Sequence, residues 1–156
     1  MTGQFEQLAY EAALRRLDKQ EGVLDELRAR TGILLAASSL AASFLGRQAF
    51  ERPASTVIAV LALLAFVVSI VASVYVLIPR RNQFVFALTG SAVYEELYAF
   101  REQVPEVHRR LAYDLGRFWE ANDPKIAKLF RAFFVGATAL VLEVVLLAGL
   151  LGGTIG

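Results

Sequence analysis

The sequence predicts an all-α integral membrane protein, with three transmembrane helices and a cytoplasmic helical bundle. Of its 156 residues, 56% are hydrophobic and only 20% are charged, whereas soluble domains have roughly 45–50% apolar and about 25% charged residues. Long apolar blocks alternate with charged blocks, a pattern typical of membrane proteins. A helix needs about 20 apolar residues to cross a bilayer core of about 30 Å, and three segments are candidates for such a span.

The segment boundaries follow from where the apolar blocks begin and end. The block at 56–78 has no charged residue, and the last block contains only Arg131 near its start and Glu143 in its middle. The first block, between Arg30 and Arg47, has only 16 residues, so a buried helix remains an alternative to a span there. We predict a cytoplasmic N-terminal helix at 1–30, transmembrane helices at 31–48, 56–78 and 129–153, a short external loop at 49–55 and a cytoplasmic helical segment at 79–128.

The distribution of basic residues predicts the orientation. Residues 1–30 hold five Lys and Arg residues and residues 79–131 hold nine, which is fourteen of the sixteen in the chain. Because Lys and Arg concentrate in cytoplasmic segments, we expect the N-terminus on the cytoplasmic side of the membrane and the C-terminus outside. No apolar leader precedes the first span, so we expect the spans themselves to direct insertion.

The cytoplasmic part is predicted to be helical throughout. A stripe of apolar residues at helical spacing marks the N-terminal helix: Phe5, Leu8, Leu14, Leu17, Leu24 and Leu27. No proline or turn cluster separates this helix from the first span, so the two should form one long helix. In the middle segment we expect a helix from a Ser91 cap to Val104, a second helix from Pro105, and a stop and restart at Asn122-Asp123-Pro124.

Glu143 is the least expected residue, because it lies near the centre of the last apolar block. A charged side chain at the bilayer centre costs about 2.5–3.5 kcal/mol on insertion scales. Counting from the middle of each span places Ser38, Ser39 and Ser69 at a similar depth, and the small residues Ala36, Ala37, Ala41 and Ala42 would allow close helix approach. We therefore predict an intramembrane polar contact of Glu143 with these serines or with Glu143 of a second copy.

Sites for catalysis or cofactors are not indicated. The chain has no cysteine and one histidine, His108, and no phosphate-binding glycine loop, metalloprotease motif or nucleophile elbow. We expect no enzymatic activity, no cofactor, no metal centre and no nucleic-acid binding. Arg109, Arg110 and Arg117 are candidate contacts for an anionic ligand, with solvation of a helix surface as the alternative.

The order and hydropathy of the segments resemble the Pycsar-effector transmembrane family. The resemblance covers residues 18–152 and rests on LDELRARTGILLAASSLAASFLG, VYVLIPRR, FVFALTGSAVYEELYAF and DPKIAKLFRAFFVGATALVLEVVLLA. It implies an anti-phage effector that responds to a cyclic nucleotide by self-associating and impairing the inner membrane. The chain departs from better-equipped members in lacking a separate nucleotide-binding domain, so no ligand-binding residue is transferred from the family.

Two other functions fit the same sequence. A constitutive membrane scaffold or partner subunit would dock another protein on its cytoplasmic helices and cause no leakage. A small ion or proton pathway through Glu143 would show conductance that depends on pH. The expected partners are the lipid bilayer and a second copy of the chain, with a cyclic nucleotide as the candidate ligand.

Overall fold

The computed structural model describes residues 2–50, 56–78, 84–86 and 90–152. Four α-helices, α1 (Thr2–Phe50), α2 (Thr56–Leu77), α3 (Gly90–Leu97) and α4 (Val104–Gly152), account for nearly all of them, and one turn of 3-10 helix occurs at Tyr98–Phe100. No strand occurs in these described ranges, which confirms the all-α class. In the predicted external loop at 49–55, residues 51–55 lie outside the described part.

Helix α1 is unbroken over 49 residues, as the absence of a proline or turn cluster predicts. Its exposed surface carries ion pairs one turn apart, of Arg15 with Glu11 and of Arg30 with Glu26. Such pairs add about 0.3–0.5 kcal/mol each, so packing rather than surface charge must stabilise most of the helix. Within the apolar stripe, Leu17, Leu24 and Leu27 are buried, but Phe5, Leu8 and Leu14 are exposed.

The predicted stop and restart at Asn122-Asp123-Pro124 is wrong, because α4 runs through Pro124 for 49 residues. Proline lacks an N–H and removes one helical hydrogen bond, but the surrounding turns continue. Asn122 does not cap a helix; its side chain accepts a hydrogen bond from the Val85 N–H (3.3 Å) and donates one to the Val85 carbonyl (2.9 Å). The predicted boundary between 128 and 129 therefore falls inside α4.

The middle segment also differs from the prediction at its first helix. Helix α3 begins at Gly90 and ends at Leu97, so Ser91 lies inside it and the helix stops before Val104. Helix α4 starts at Val104, where the Gln103 carbonyl accepts hydrogen bonds from the N–H groups of Glu106 and Val107 (2.9 and 3.2 Å). Pro105 then occupies the first turn, where its missing N–H has no helical partner to lose.

The chain divides into two compact units, to which α1 and α4 both contribute. The charged unit comprises Met1–Asp25 and Arg80–Ala127, and the apolar unit comprises Glu26–Pro79 and Lys128–Gly156. The core of the charged unit contains Leu17, Leu24, Leu97, Leu115 and Ile126. These aliphatic side chains provide its hydrophobic stabilisation.

In the apolar unit, helix α2 buries mainly small side chains and exposes most of its large ones. The buried positions of α2 are Ala59, Ala62, Ala65, Ser69, Ala72, Ser73 and Val76, whereas its valines and leucines at 57, 60, 61, 63, 64, 67, 68, 71 and 74 are 41–73% exposed. A helix in a water-soluble core buries its large apolar residues, whereas helices that pack within lipid meet through small residues. Of the small residues predicted on α1, Ala36 and Ala37 are exposed, whereas Ala41 and Ala42 are half-buried.

In the part of the chain that the structure describes, two helices are long and apolar enough to cross a membrane: Thr56–Leu77 and Val104–Leu150. Only 33% and 22% of their most apolar windows are buried, so neither resembles the core helix of a soluble domain. Within the described residues, α1 does not reach the same hydropathy, which agrees with the short and serine-rich character of 31–46.

Gly136 of α4 lies where side chains of both α1 and α2 pack against α4. A methyl group added to it would lie 3.2 Å from the Ala72 Cβ and 3.2 Å from a Leu34 methyl carbon. Replacing Gly136 by Leu should therefore separate the helices and lower the free energy of unfolding by about 1–3 kcal/mol, the usual cost of overpacking. The measurement is unfolding in mixed detergent micelles, followed by circular dichroism.

Gly149 of the same helix provides the matched control, because an added methyl group there would meet nothing within 4 Å. Gly149→Leu brings the same gain in helix propensity without the steric conflict, so it should leave stability unchanged or slightly higher. Equal effects of the two substitutions would contradict the packing described here.

Candidate functional site

The apolar unit contains a buried carboxyl group that is bound within the same chain. Glu143 on α4 is 1% exposed and Ser38 on α1 is 0% exposed. The Ser38 hydroxyl donates a hydrogen bond of 3.0 Å to Oε2 of Glu143. An unpaired polar group in an apolar interior costs several kcal/mol, so this contact provides a reason for α1 to pack beside α4.

Three further oxygen atoms in this unit are buried without a described partner. They are Oε1 of Glu143 and the hydroxyls of Ser69 and Ser73 on α2. Other hydroxyls of the unit bond to their own helix: Thr31 donates to the Leu27 carbonyl (2.7 Å) and Ser39 to the Leu35 carbonyl (2.9 Å). The hydroxyls of Ser69 and Ser73 are therefore available for a partner, and Ser39 is not part of the buried group.

The contacts along α4 give the order of these groups. Gly136 packs against Ala72 and Leu34, Glu143 bonds to Ser38, and Leu147 packs against Ala62. Because α2 runs antiparallel to α4, these contacts place Ser69 about one helical turn from Glu143, toward Gly136. Of the predicted contact set, the structure joins Ser38 to Glu143, places Ser69 one turn away and turns Ser39 outward.

The sequence analysis does not predict two residues of this helix contact, Ser73 and Gly136. Ser73 follows Ser69 by four residues, a spacing that places both on one face of a helix. Since Ser69 was already a candidate, this spacing was the signal that could have found Ser73. The role of Gly136 depends on what the other helices present to it, and the sequence carries no comparable signal.

The charged unit contains a groove of about 500 Å³ between α1 and α4. The groove is lined by small residues and by the larger side chains of Phe5, Glu6, Arg16, Arg109, Tyr113 and Trp119. We call it the arginine groove. The guanidinium of Arg16 lies 3.6 Å from the centre of the Trp119 ring, and the Gln20 side chain donates to the Trp119 carbonyl (3.2 Å). These contacts fix Trp119 at one edge of the groove.

Of the three predicted anion-binding arginines, Arg109 lines this groove. Arg109 and Arg110 both donate to the carboxylate of Glu106 at 2.9 and 3.0 Å, and these hydrogen bonds hold the pKa of Glu106 below its usual value. Arg110 also lies 4.0 Å from the centre of the Phe100 ring. Arg117 is exposed two turns beyond Arg110, so the three arginines do not converge on one point.

Arg16 is the basic residue of the groove that sequence reasoning missed. It lies on α1, far in sequence from Arg109, and only the packing of the two helices brings them to one groove. His108 of α4 is stacked on Tyr10 of α1, with ring centres 5.4 Å apart, so its side chain packs against α1.

Comparison with protein-family models, with curated proteins and with solved structures finds no match to this chain. Two features of the described residues bear on function: the buried carboxyl group of Glu143 and the arginine groove. The buried Glu143 can accept or release a proton or hold helices together, and the arginine groove offers cationic and aromatic groups to a small anionic ligand.

Ser38 and its neighbour Ser39 allow a matched test of the buried hydrogen bond. Ser38→Ala leaves Glu143 Oε2 without its donor, so the free energy of unfolding in mixed micelles should fall by about 1–3 kcal/mol. Ser39→Ala removes only a bond to its own helix at an exposed position and should change stability by less than about 0.5 kcal/mol. Similar losses for both variants would show that the Ser38–Glu143 bond contributes nothing specific.

Proposed function

We propose that this protein is a membrane effector with three transmembrane helices, which self-associates and impairs the bacterial inner membrane in a cyclic-nucleotide-linked anti-phage response. The observation that carries the membrane part is the packing of α2, whose alanines and serines face inward while most of its valines and leucines face outward. Such a surface suits lipid and is unfavourable in water.

The third span is assigned to residues 31–48, although this segment is the least apolar of the three. The bond from Ser38 to Glu143 supports this assignment, because it would place this segment of α1 beside the only charged residue of α4 beyond Arg131. The distribution of Lys and Arg supports an N-terminus inside and a C-terminus outside. An odd number of spans agrees with that arrangement.

Self-association is supported by apolar residues of the charged unit that are left uncovered. Phe5 is 73% exposed and Leu8 is 61% exposed on α1, and Tyr113 is 72% exposed on α4. This unit carries most of the charged residues and would lie in the cytoplasm, where exposed aromatic and aliphatic side chains favour contact with a second copy. The effector role itself rests on the resemblance of residues 18–152 to the Pycsar-effector transmembrane family.

The arginine groove is the proposed site for the cyclic nucleotide. Arg16 and Arg109 would face the phosphate, and the aromatic rings at its edge would contact the base or ribose. Helices α1 and α4 line the groove and also supply residues to the apolar unit, so a ligand that moves either helix would act on the spans.

Membrane impairment is tested by release of a trapped dye from liposomes that contain the purified chain. A cyclic nucleotide should increase release and shift the mass in detergent from 17.1 kDa to a multiple of it. Liposomes without protein and protein with a linear mononucleotide are the controls. A chain that stays monomeric and releases no dye with any cyclic nucleotide would overturn the effector assignment, and a stable complex with another protein would favour the scaffold.

Trp119 is the only tryptophan in the chain, so its fluorescence reports on the arginine groove directly. Cyclic nucleotides should quench it in a saturable way, and Arg16→Ala should weaken the affinity about tenfold, equivalent to about 1.4 kcal/mol. Arg15→Ala is the matched control, because Arg15 is paired with Glu11 and does not line the groove. Equal affinities for wild type and Arg16→Ala would place the ligand elsewhere.

A further inference from the structure

The apolar unit contains a row of polar side chains that is almost completely enclosed. Thr31, Ser38, Ser69, Ser73 and Glu143 are each 0–1% exposed, and they lie on α1, α2 and α4. We call this row the polar column. Three of its oxygen atoms, on Ser69, Ser73 and Glu143, have no described partner, although a helical serine can bond to its own backbone, as Ser39 does.

The helix contacts give the column a direction. Gly136 contacts Leu34 and Ala72, so Thr31 and Ser73 lie near the level of Gly136, with Ser69 next and Ser38 with Glu143 at the far end. The row extends over about 12 Å at 1.5 Å rise per residue. Hydroxyls one turn apart are about 6 Å apart, a gap that one bridging water spans.

The column ends beyond Glu143 at a purely apolar contact. Leu147 of α4 and Ala62 of α2 are both buried there, with Leu146 and Leu150 packed around them. Leu147 follows Glu143 by one helical turn, so it lies directly beyond the carboxyl group. Polar side chains therefore continue on one side of Glu143, and only an apolar contact is described on the other.

We propose that the polar column carries protons to the carboxyl group of Glu143 and that Leu147 with Ala62 closes the path beyond it. A proton enters at the Thr31–Ser73 end, each hydroxyl or water accepts one proton and passes one on, and the Glu143 carboxylate is protonated last. Only O–H bonds form and break, and one proton leaves the entry side for each one that Glu143 gains. The inference rests on the three spans proposed above, and it does not depend on self-association or on a nucleotide.

The geometry favours a proton over a hydrated cation. At Gly136 the three helices are so close that an added methyl group would lie 3.2 Å from two side chains, a packing that favours single hydroxyls and waters over a hydrated ion. No basic side chain faces Glu143: α2 has no charged residue, residues 31–46 of α1 have none, and beyond Arg131 Glu143 is the only charged residue of α4. Among the five side chains of the polar column, the Glu143 carboxyl group is therefore the one that can hold a proton and release it.

The test measures proton flux into liposomes that contain the full chain and a trapped pH dye, with potassium and valinomycin to set the voltage. Wild type should be nearly proton-tight, and Leu147→Ser should raise the flux at least tenfold without releasing a larger dye. Adding Glu143→Gln to Leu147→Ser should return the flux to the wild-type level. Leu142→Ser is the control, since Leu142 is on the same helix but 52% exposed.

A Leu147→Ser variant that retains its helical unfolding transition but conducts no more than wild type would overturn the proposal. So would a flux that persists after Glu143→Gln.

If Leu147→Ser does not fold, wild type is treated with a carbodiimide, which modifies protonated carboxyl groups. Modification of Glu143 that falls as pH rises and slows in Ser69→Ala/Ser73→Ala supports the column, and modification unaffected by those substitutions contradicts it. Nucleotide-dependent dye release tests the effector role separately, so each proposal can fail alone.

Discussion

The hydrogen bond between Ser38 and Glu143 is the constraint on which the rest of the apolar unit depends. An ionisable group in an apolar interior is expensive unless it finds a polar partner, and here the partner comes from another helix of the same chain, 3.0 Å away. This hydrogen bond requires α1 and α4 to lie side by side. The part of α1 that carries Ser38 therefore packs in the apolar unit, although its hydropathy is modest. Within the described residues, Glu143 thus has a partner on another helix of its own chain.

Small residues make this arrangement sterically possible. Gly136 lets α4 approach both α1 and α2, and α2 presents alanines and serines to the interior while its valines and leucines point away. In lipid the large apolar side chains gain little by being buried, so close backbone approach and polar contacts determine which faces pack. The hydroxyls of Ser69 and Ser73 lie on this inward face of α2 without a described partner.

The sequence was sufficient for the features that depend on composition and local pattern. It predicts the helical class, the continuity of α1 and the apolar block of α2, because each follows from hydropathy and the lack of helix-breaking residues. The prediction failed at Asn122-Asp123-Pro124, where the motif is a good terminator locally but Asn122 bonds to Val85 and α4 continues. A local sequence pattern gives no information about tertiary contacts of this kind.

The same distinction holds for the candidate sites. The unusual position of Glu143 is visible in the sequence, and counting along the spans suggests Ser38 as a partner, because depth in a helix is proportional to residue number. Which serine of a helix faces inward depends on the rotation of that helix about its axis. The predicted contact set therefore includes Ser39, which faces outward, and omits Ser73, which is buried. The arginine groove needed the packing of α1 on α4 to bring Arg16 and Arg109 together.

A double-mutant cycle on Ser38 and Glu143 tests the central claim most directly. The free energy of unfolding is measured in mixed micelles for wild type, Ser38→Ala, Glu143→Leu and the double variant. If the two side chains bond within one chain, Ser38→Ala should cost about 1–3 kcal/mol in wild type and nearly nothing once Glu143 is leucine. Additive losses, with the same cost of Ser38→Ala in both backgrounds, would contradict the account.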